Sequence, residues 1–421
     1  MKVESHLIVE EVVDTKMSLP VSDLQKWSIR AFGVGVFFFV LTFLSLFIFA
    51  KTLVFGAYLV VFLFFLSIAL GAMFFVVLHF LTRAGWSVVF RRFAELVMTS
   101  FVASWGLPIL FLLFIPIIVG LESLYIWLPQ VGEKITDPII LNKMSYLNKP
   151  FFLIRASLFF GVWYVIAFFF TYHSFRQDKT GDLEHTNKLN KFSPLALLGF
   201  SLTLTFAAFD WIMSIDPHWF SSIFGVYYFS GSLVAIYAFL ALFGIQLHKR
   251  GFLLDIITKE HFHDIGKLLF GFIVFWSYIA FSQFLLIWYA NIPEETAWFD
   301  RRWSDGWGYL SLLLLFGHFV IPFFFLMSRH IKRRLHLLSI AAIWMLVMHF
   351  IDLYWLIMPN LYHNLEKQDI HFSWFHLIPL MTSFLGMGGL LMAVIAWRMK
   401  DISLIPKNDP RFSESISFEN F

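Results

Sequence analysis

A short list of ionisable side chains lies inside or at the ends of long apolar runs, and any chemistry this sequence performs must start from them. Glu122, Asp210, Asp216, His218, His349, Asp352 and His376 fall toward one end of the runs, His318 near the middle, and His79, Glu95 and His173 toward the other. An ionised group within a spanning helix costs about 2.5–3.5 kcal/mol on insertion scales, so each requires a reason. Asp210, Asp216 and His218 crowd into Phe209–Phe220 beside the helix-breaking Pro217. That grouping suits a proton-exchanging site or a pocket for a polar headgroup. It also suits a turn in which Asp216 caps a helix before Pro217, and Asp216 is assigned to that role while Asp210 is kept as functional. His349 and Asp352 are three apart and share a helix face. An imidazole beside a carboxylate can pass a proton, or can tie two helices as an ion pair. His318 and His349 differ in depth by only ~5 Å at helical rise, so two imidazoles could hold a b-type haem. No small-residue pocket accompanies them, and a His318 satisfied by a backbone carbonyl is the preferred reading. At the opposite end, His79 and Glu95 suggest a proton entrance, with Arg91 and Arg92 as basic anchors. Glu122 and Arg155 read as a pair.

The elements that must carry these groups follow from composition. Of 421 residues, 59% are hydrophobic and 14% charged, against about 45–50% and 25% in soluble domains. A disordered chain is excluded and a soluble enzyme disfavoured. Ten apolar runs are long enough to span a bilayer, roughly 28–50, 55–80, 93–119, 150–175, 194–214, 221–247, 266–290, 306–328, 335–358 and 372–398. The expected organisation is a polar tail over 1–26, an all-α ten-helix transmembrane domain over 27–398 and a tail over 399–421. With both termini and alternate loops on one side, that side holds 23 Lys and Arg against 8 on the other. The basic side is therefore cytoplasmic, and both termini with it. The tail lacks the marks of a signal peptide. The absence of cysteine removes disulfides, thiolate zinc sites, cysteine-held iron–sulfur clusters and covalently attached c-type haem. No metal site is read from the spacing of the remaining ligands. A net charge of +3 gives no reason to expect nucleic acid as a partner.

Several strings carry a resemblance. They are His79 with Leu81-Thr82-Arg83-Ala84-Gly85-Trp86 and Arg91-Arg92; Tyr146-Leu147-Asn148-Lys149-Pro150-Phe151-Phe152 with Arg155-Ala156; Phe209–Phe220; Glu260-His261-Phe262-His263-Asp264-Ile265-Gly266-Lys267; Ala280-Phe281-Ser282-Gln283-Phe284; Asn291-Ile292-Pro293-Glu294-Glu295-Thr296; and Ile351-Asp352-Leu353-Tyr354-Trp355. In this order, over about 60–400, they resemble the F subunit (ActF) of bacterial alternative complex III, a relative of the NrfD and polysulfide-reductase C membrane subunits. The resemblance implies two four-helix bundles with the first and last helices outside them, in the bacterial inner membrane. It implies a complex that oxidises menaquinol or another quinol and passes electrons to cytochrome c or a terminal oxidase. The implied partners are an ActC-like sister membrane subunit, an iron–sulfur subunit, and multihaem and monohaem cytochromes c. Quinone is the one implied bound molecule, and the residues of interest carried over are His79, Asp210, His218 and Asp352. Glu122 stands where many relatives have His or another polar residue. A purely structural subunit and a secondary transporter are the alternatives. Pro108, Pro116, Pro322 and Pro379 supply the helix breaks a transporter needs, but its ionisable groups would sit nearer the midplane.

Overall fold

In a computed structural model, residues 20–102, 108–129, 135–254, 256–366 and 370–419 are described, and among them the structure is helical throughout, with no strand. Most of the expected N-terminal tail falls outside these residues. The main helices are α1 (Val21–Leu44), α2 (Lys51–Leu81), α3 (Val88–Met98), α4 (Ile109–Val119), α5 (Lys149–Thr180), α6 (Glu184–Trp211), α7 (Phe224–Lys249), α8 (Lys259–Ala290), α9 (Trp307–Met327), α10 (Leu335–Glu366) and α11 (Leu377–Arg398). Nine helical segments among the described residues are long and apolar enough to cross a membrane, and α4 is a shorter apolar helix. The shortest of the nine, α9 at 21 residues, extends about 31 Å at 1.5 Å per residue, enough for a hydrocarbon core of about 30 Å. The chain thus has the makeup of a multi-pass membrane protein.

The difference from ten uninterrupted runs lies at 93–119. There the chain is divided between α3 and α4. Thr99 turns its hydroxyl back onto the Leu96 carbonyl at 2.5 Å, and Pro108, in extended conformation, precedes α4 with no N–H to offer a helix. Thr99 and Ser100 are buried, so the non-helical turn that follows α3 at 99–102 lies within protein rather than lipid, where such a turn is tolerated. Pro116 stays inside α4 without ending it. Pro322 lies within α9, directly after its π-helical stretch, and Pro379 occupies the first turn of α11, where a missing N–H costs little.

Helix α2 is apolar all round and buried on nearly every side, as a core helix must be. It touches α3, α6, α7, α10 and α11. Helix α7 is the second central helix, packed on α2, α6, α8 and α10. Helix α1 lies outside and packs chiefly on α11. Their crossing is made by glycines: a Cβ on Gly35 would stand 2.7 Å from the Leu390 nitrogen, and one on Gly389 would stand 2.7 Å from the Gly35 Cα. Small residues let backbones touch where no hydrophobic effect drives helices together.

Residues 399–419 are not a free tail. Leu404 and Ile405 are buried, Ser415 donates to the Trp86 carbonyl and its own carbonyl meets His261 Nε2. The segment folds back across the basic end of the helices.

Candidate functional site

The structure brings His318, His349 and Asp352 together at the junction of α2, α7, α8, α9 and α10. All three are buried, and one ligand atom of each lies within 4.8 Å of the others. Asp352 is held by two donors from other helices: Tyr227 on α7 donates to Oδ1 at 2.6 Å, and Trp276 on α8 donates through Nε1 to Oδ2 at 3.1 Å. The buried carboxylate therefore meets neutral donors, not an ion pair with His349.

His349 has its own partner. Its Nε2 lies 2.8 Å from Ser67 Oγ on α2. Ser67 Oγ also lies 2.7 Å from the Phe64 carbonyl; with its single proton given there, it accepts at His349 and the imidazole is the Nε2–H tautomer. That tautomer leaves a lone pair on Nδ1, which has no partner. The ring fits because residue 231 on α7 is glycine: a Cβ there would stand 2.7 Å from Cε1 and 2.9 Å from Nδ1.

His318 departs from the carbonyl-satisfied reading. It lies on a π-helical stretch, Leu314–Val320, a local widening that recurs at functional sites. The Gly317 carbonyl there takes a hydrogen bond from Trp344 Nε1 at 2.7 Å. Neither ring nitrogen of His318 has a hydrogen-bond partner. Its ring stacks on Trp276 with centroids 3.7 Å apart. Trp276 stacks on the His318 ring, Ser67 meets His349 Nε2 and Gly231 of α7 packs against the His349 ring, so protein closes around both imidazoles.

Beside this cluster lies an apolar cavity of about 490 Å³, lined by Tyr227, Trp276, Gln283, Phe299, Ser311 and Trp355 among others. Its volume falls in the usual range for small-molecule sites. Tyr227 and Trp276 are at once its wall and the two donors to Asp352. Nearby, between α8 and α9, Arg302 is fully buried and, among the described residues, forms no salt bridge with a carboxylate. It donates to the carbonyls of Trp298 at 2.8 Å and Leu356 at 2.7 Å, and lies 3.2 Å from the centroid of the Trp298 ring. Burial first, then the neighbouring Arg301, pushes its pKa well below the ordinary arginine value.

Neither a known protein family nor any curated protein matches this chain. Its function must therefore be read from its residues and their geometry.

The other expected residues are placed apart from this cluster. Asp210 is clamped by Arg155 of α5, whose Nε and Nη2 donate to its two oxygens at 2.6 and 3.1 Å. The guanidinium lies 3.8 Å from the Tyr146 ring centroid and 4.4 Å from that of Phe151. Arg155 thus pairs with Asp210, and not with Glu122, which meets Lys149 at 3.1 Å on the surface. Asp216 N-caps no helix before Pro217: it closes the short 3-10 turn Met213–Ile215 and accepts from Arg301 at 2.5 Å and from the His218 backbone at 3.3 Å. His218 is partly exposed and reaches Asp137 at 2.6 Å. His376 meets the Tyr362 hydroxyl at 3.0 Å.

At the basic end, Arg91, Arg92 and Glu95 of α3 are buried, not exposed anchors. Arg91 donates to Glu95 at 3.2 Å and to Asp409 of the C-terminal segment at 2.5 Å. Arg92 pairs with Asp178 and, at 3.1 Å, with Glu95. Ser174 donates to Glu95 at 2.8 Å. His79 does not join this network through Glu95: its Nδ1 meets the Phe75 carbonyl at 2.5 Å and its ring packs on Phe75 and Trp86. His173 meets His185, with Nδ1 atoms 2.8 Å apart. Tyr227, Trp276, Ser67, Asp178 and Asp409 went unmarked in the sequence. The first three carry no charge at neutral pH, and the last two lie in polar stretches where an acidic residue draws no notice.

Proposed function

We propose that this chain is an integral membrane subunit of a quinol:cytochrome c or quinol:oxidase-linked electron-transfer complex. In this reading it supports quinol oxidation, proton conduction, or both, and lies in a bacterial cytoplasmic membrane with both termini inside. The observation that carries the proposal is the apolar cavity whose wall residues, Tyr227 and Trp276, hold the buried Asp352. A quinol headgroup is a flat aromatic ring with two hydroxyls, and it suits a cavity of aromatic walls and sparse polar groups. Its oxidation releases two protons and two electrons. Asp352 stands one hydrogen bond behind Tyr227, where it can receive a proton. A chain without cysteine holds no iron–sulfur cluster, so the electrons pass to partners: an iron–sulfur subunit, an ActC-like sister subunit and the cytochromes c. The ordered strings that resemble ActF support the same reading.

The test is Asp352→Asn and Asp210→Asn in the intact complex. Asp352→Asn is expected to leave assembly intact and lower quinol oxidation and proton release by ~100-fold or more, the range for losing a general base. Unchanged oxidation and unchanged proton release in both variants overturn the proposal. A structural role is favoured for Asp210, because both its oxygens are held by Arg155; there Asp210→Asn is expected to reduce assembly before it changes turnover.

A further inference from the structure

We propose that His318, His349 and Asp352 form a binding site for a divalent first-row transition-metal ion of the Zn²⁺ or Fe²⁺ type. The proposal does not rest on the electron-transfer reading. It rests on three groups that converge with no cation among them. His349 Nδ1 has no hydrogen-bond partner, and in the Nε2–H tautomer it carries an unshared lone pair. His318 offers a second, since neither of its nitrogens is bonded. Asp352 supplies a carboxylate whose oxygens each meet one neutral donor and retain lone pairs.

A proton relay would join its members by hydrogen bonds. Here neither imidazole bonds to the other or to Asp352, although a potential ligand atom of each of the three meets at one buried point. The ligand atoms lie within 4.8 Å of one another. Metal–nitrogen and metal–oxygen bonds of about 2.0–2.2 Å place ligands roughly 3.3 Å apart in a tetrahedron, so side-chain shifts on the order of 1 Å complete the site. Two imidazoles and one carboxylate suit zinc or ferrous iron better than magnesium or calcium, which take all-oxygen shells. Three protein ligands leave a position for water or a solute. The supporting contacts are those a metal site needs: Ser67 orients His349, and Tyr227 and Trp276 orient Asp352.

The test uses the full-length chain, purified in lipid nanodiscs, stripped with chelator and titrated with Co²⁺ and Zn²⁺. The expected result is one ion per chain, visible Co²⁺ absorption bands displaced by Zn²⁺, and a thermal midpoint raised by Zn²⁺. His318→Ala and His349→Ala are expected to abolish stoichiometric binding, while Ser67→Ala weakens it about 10-fold. His173→Ala, at the separate pair with His185, is expected to leave it unchanged. A wild-type chain that neither binds Co²⁺ stoichiometrically nor is stabilised by Zn²⁺ overturns the proposal, whether or not the ligand variants fold. So does full binding in the folded His318→Ala/His349→Ala double variant.

Discussion

The Arg155–Asp210 clamp gives a quantitative test of how the fold is held. Asp210 is 1% exposed and Arg155 6%. Two charge-assisted hydrogen bonds join them, and two aromatic rings flank the guanidinium. Removing one member leaves the other as an uncompensated charge among Trp, Phe and Tyr side chains. Breaking a buried pair this way costs about 3–5 kcal/mol, whereas replacing both members with apolar side chains is often nearly neutral. Asp210→Ala and Arg155→Met are each expected to destabilise by about 3–5 kcal/mol, and Arg155→Met/Asp210→Leu by far less than their sum. The assay is reversible unfolding of the purified chain in mixed micelles, followed by Trp fluorescence. Trp163 and Trp211 are buried on α5 and α6, the two helices the clamp joins. Single variants within about 1 kcal/mol of wild type would show that the pair behaves like a solvent-screened surface bridge. A double variant that costs the full sum would show that the two charges do not interact. Either result refutes the argument.

Gly231→Ala is expected to push His349 off its position, because the new Cβ would stand 2.7 Å from Cε1; a loss of about 1–3 kcal/mol in unfolding measurements checks it. Gly35→Leu is expected to detach α1 from α11. A cysteine pair engineered at Ser28 and Ala393, where the Ser28 hydroxyl now meets the Ala393 carbonyl at 2.9 Å, should then fail to cross-link. Asp137 titrates below the usual carboxylate range because His218 bonds to it first, with the Ile139 and Ile140 amides adding to the effect. A depressed carboxylate stabilises its contact above its unfolded pKa of about 3.9 and loses that contribution as pH falls through the folded value. On the acid side the Asp137–His218 contact should therefore loosen below about pH 4, and His218→Ala should raise the Asp137 titration midpoint in NMR.

The helices were legible because a bilayer sets one length and one polarity for every span. Nine apolar runs correspond to spanning helices among the described residues. The division at Thr99–Pro108 was not legible, since the apolar composition of 93–119 continues through it. Only the neighbours that bury Thr99 and Ser100 make the non-helical turn after Met98 tolerable. For the site, rarity of charge picked out His318, His349 and Asp352, but spacing along one helix could not say which faces meet. Thus His349 and Asp352, on one face of α10, bond to Ser67, Tyr227 and Trp276 from three other helices, and not to each other. Arg155 found Asp210 for the same reason: α5 and α6 pack side by side, a fact absent from either segment alone.

The two readings of the central cluster make opposite demands on the same atoms, and that sets them against each other in one experiment. A proton moving through Asp352 needs its oxygens and the Tyr227 hydroxyl free to exchange hydrogen bonds. A bound divalent ion would fix Asp352 and hold the Tyr227 side in place. Where both readings hold, Zn²⁺ must inhibit proton release by the complex at the concentration that fills the site, and inhibition must track the Zn²⁺ affinity of the purified chain. His318→Ala should then lose the high-affinity inhibition while keeping the carboxylate route. Inhibition that persists in His318→Ala would place the sensitive metal elsewhere. A filled site in an uninhibited complex would separate the metal from proton movement, leaving it to hold α9 against α10 as a structural ion.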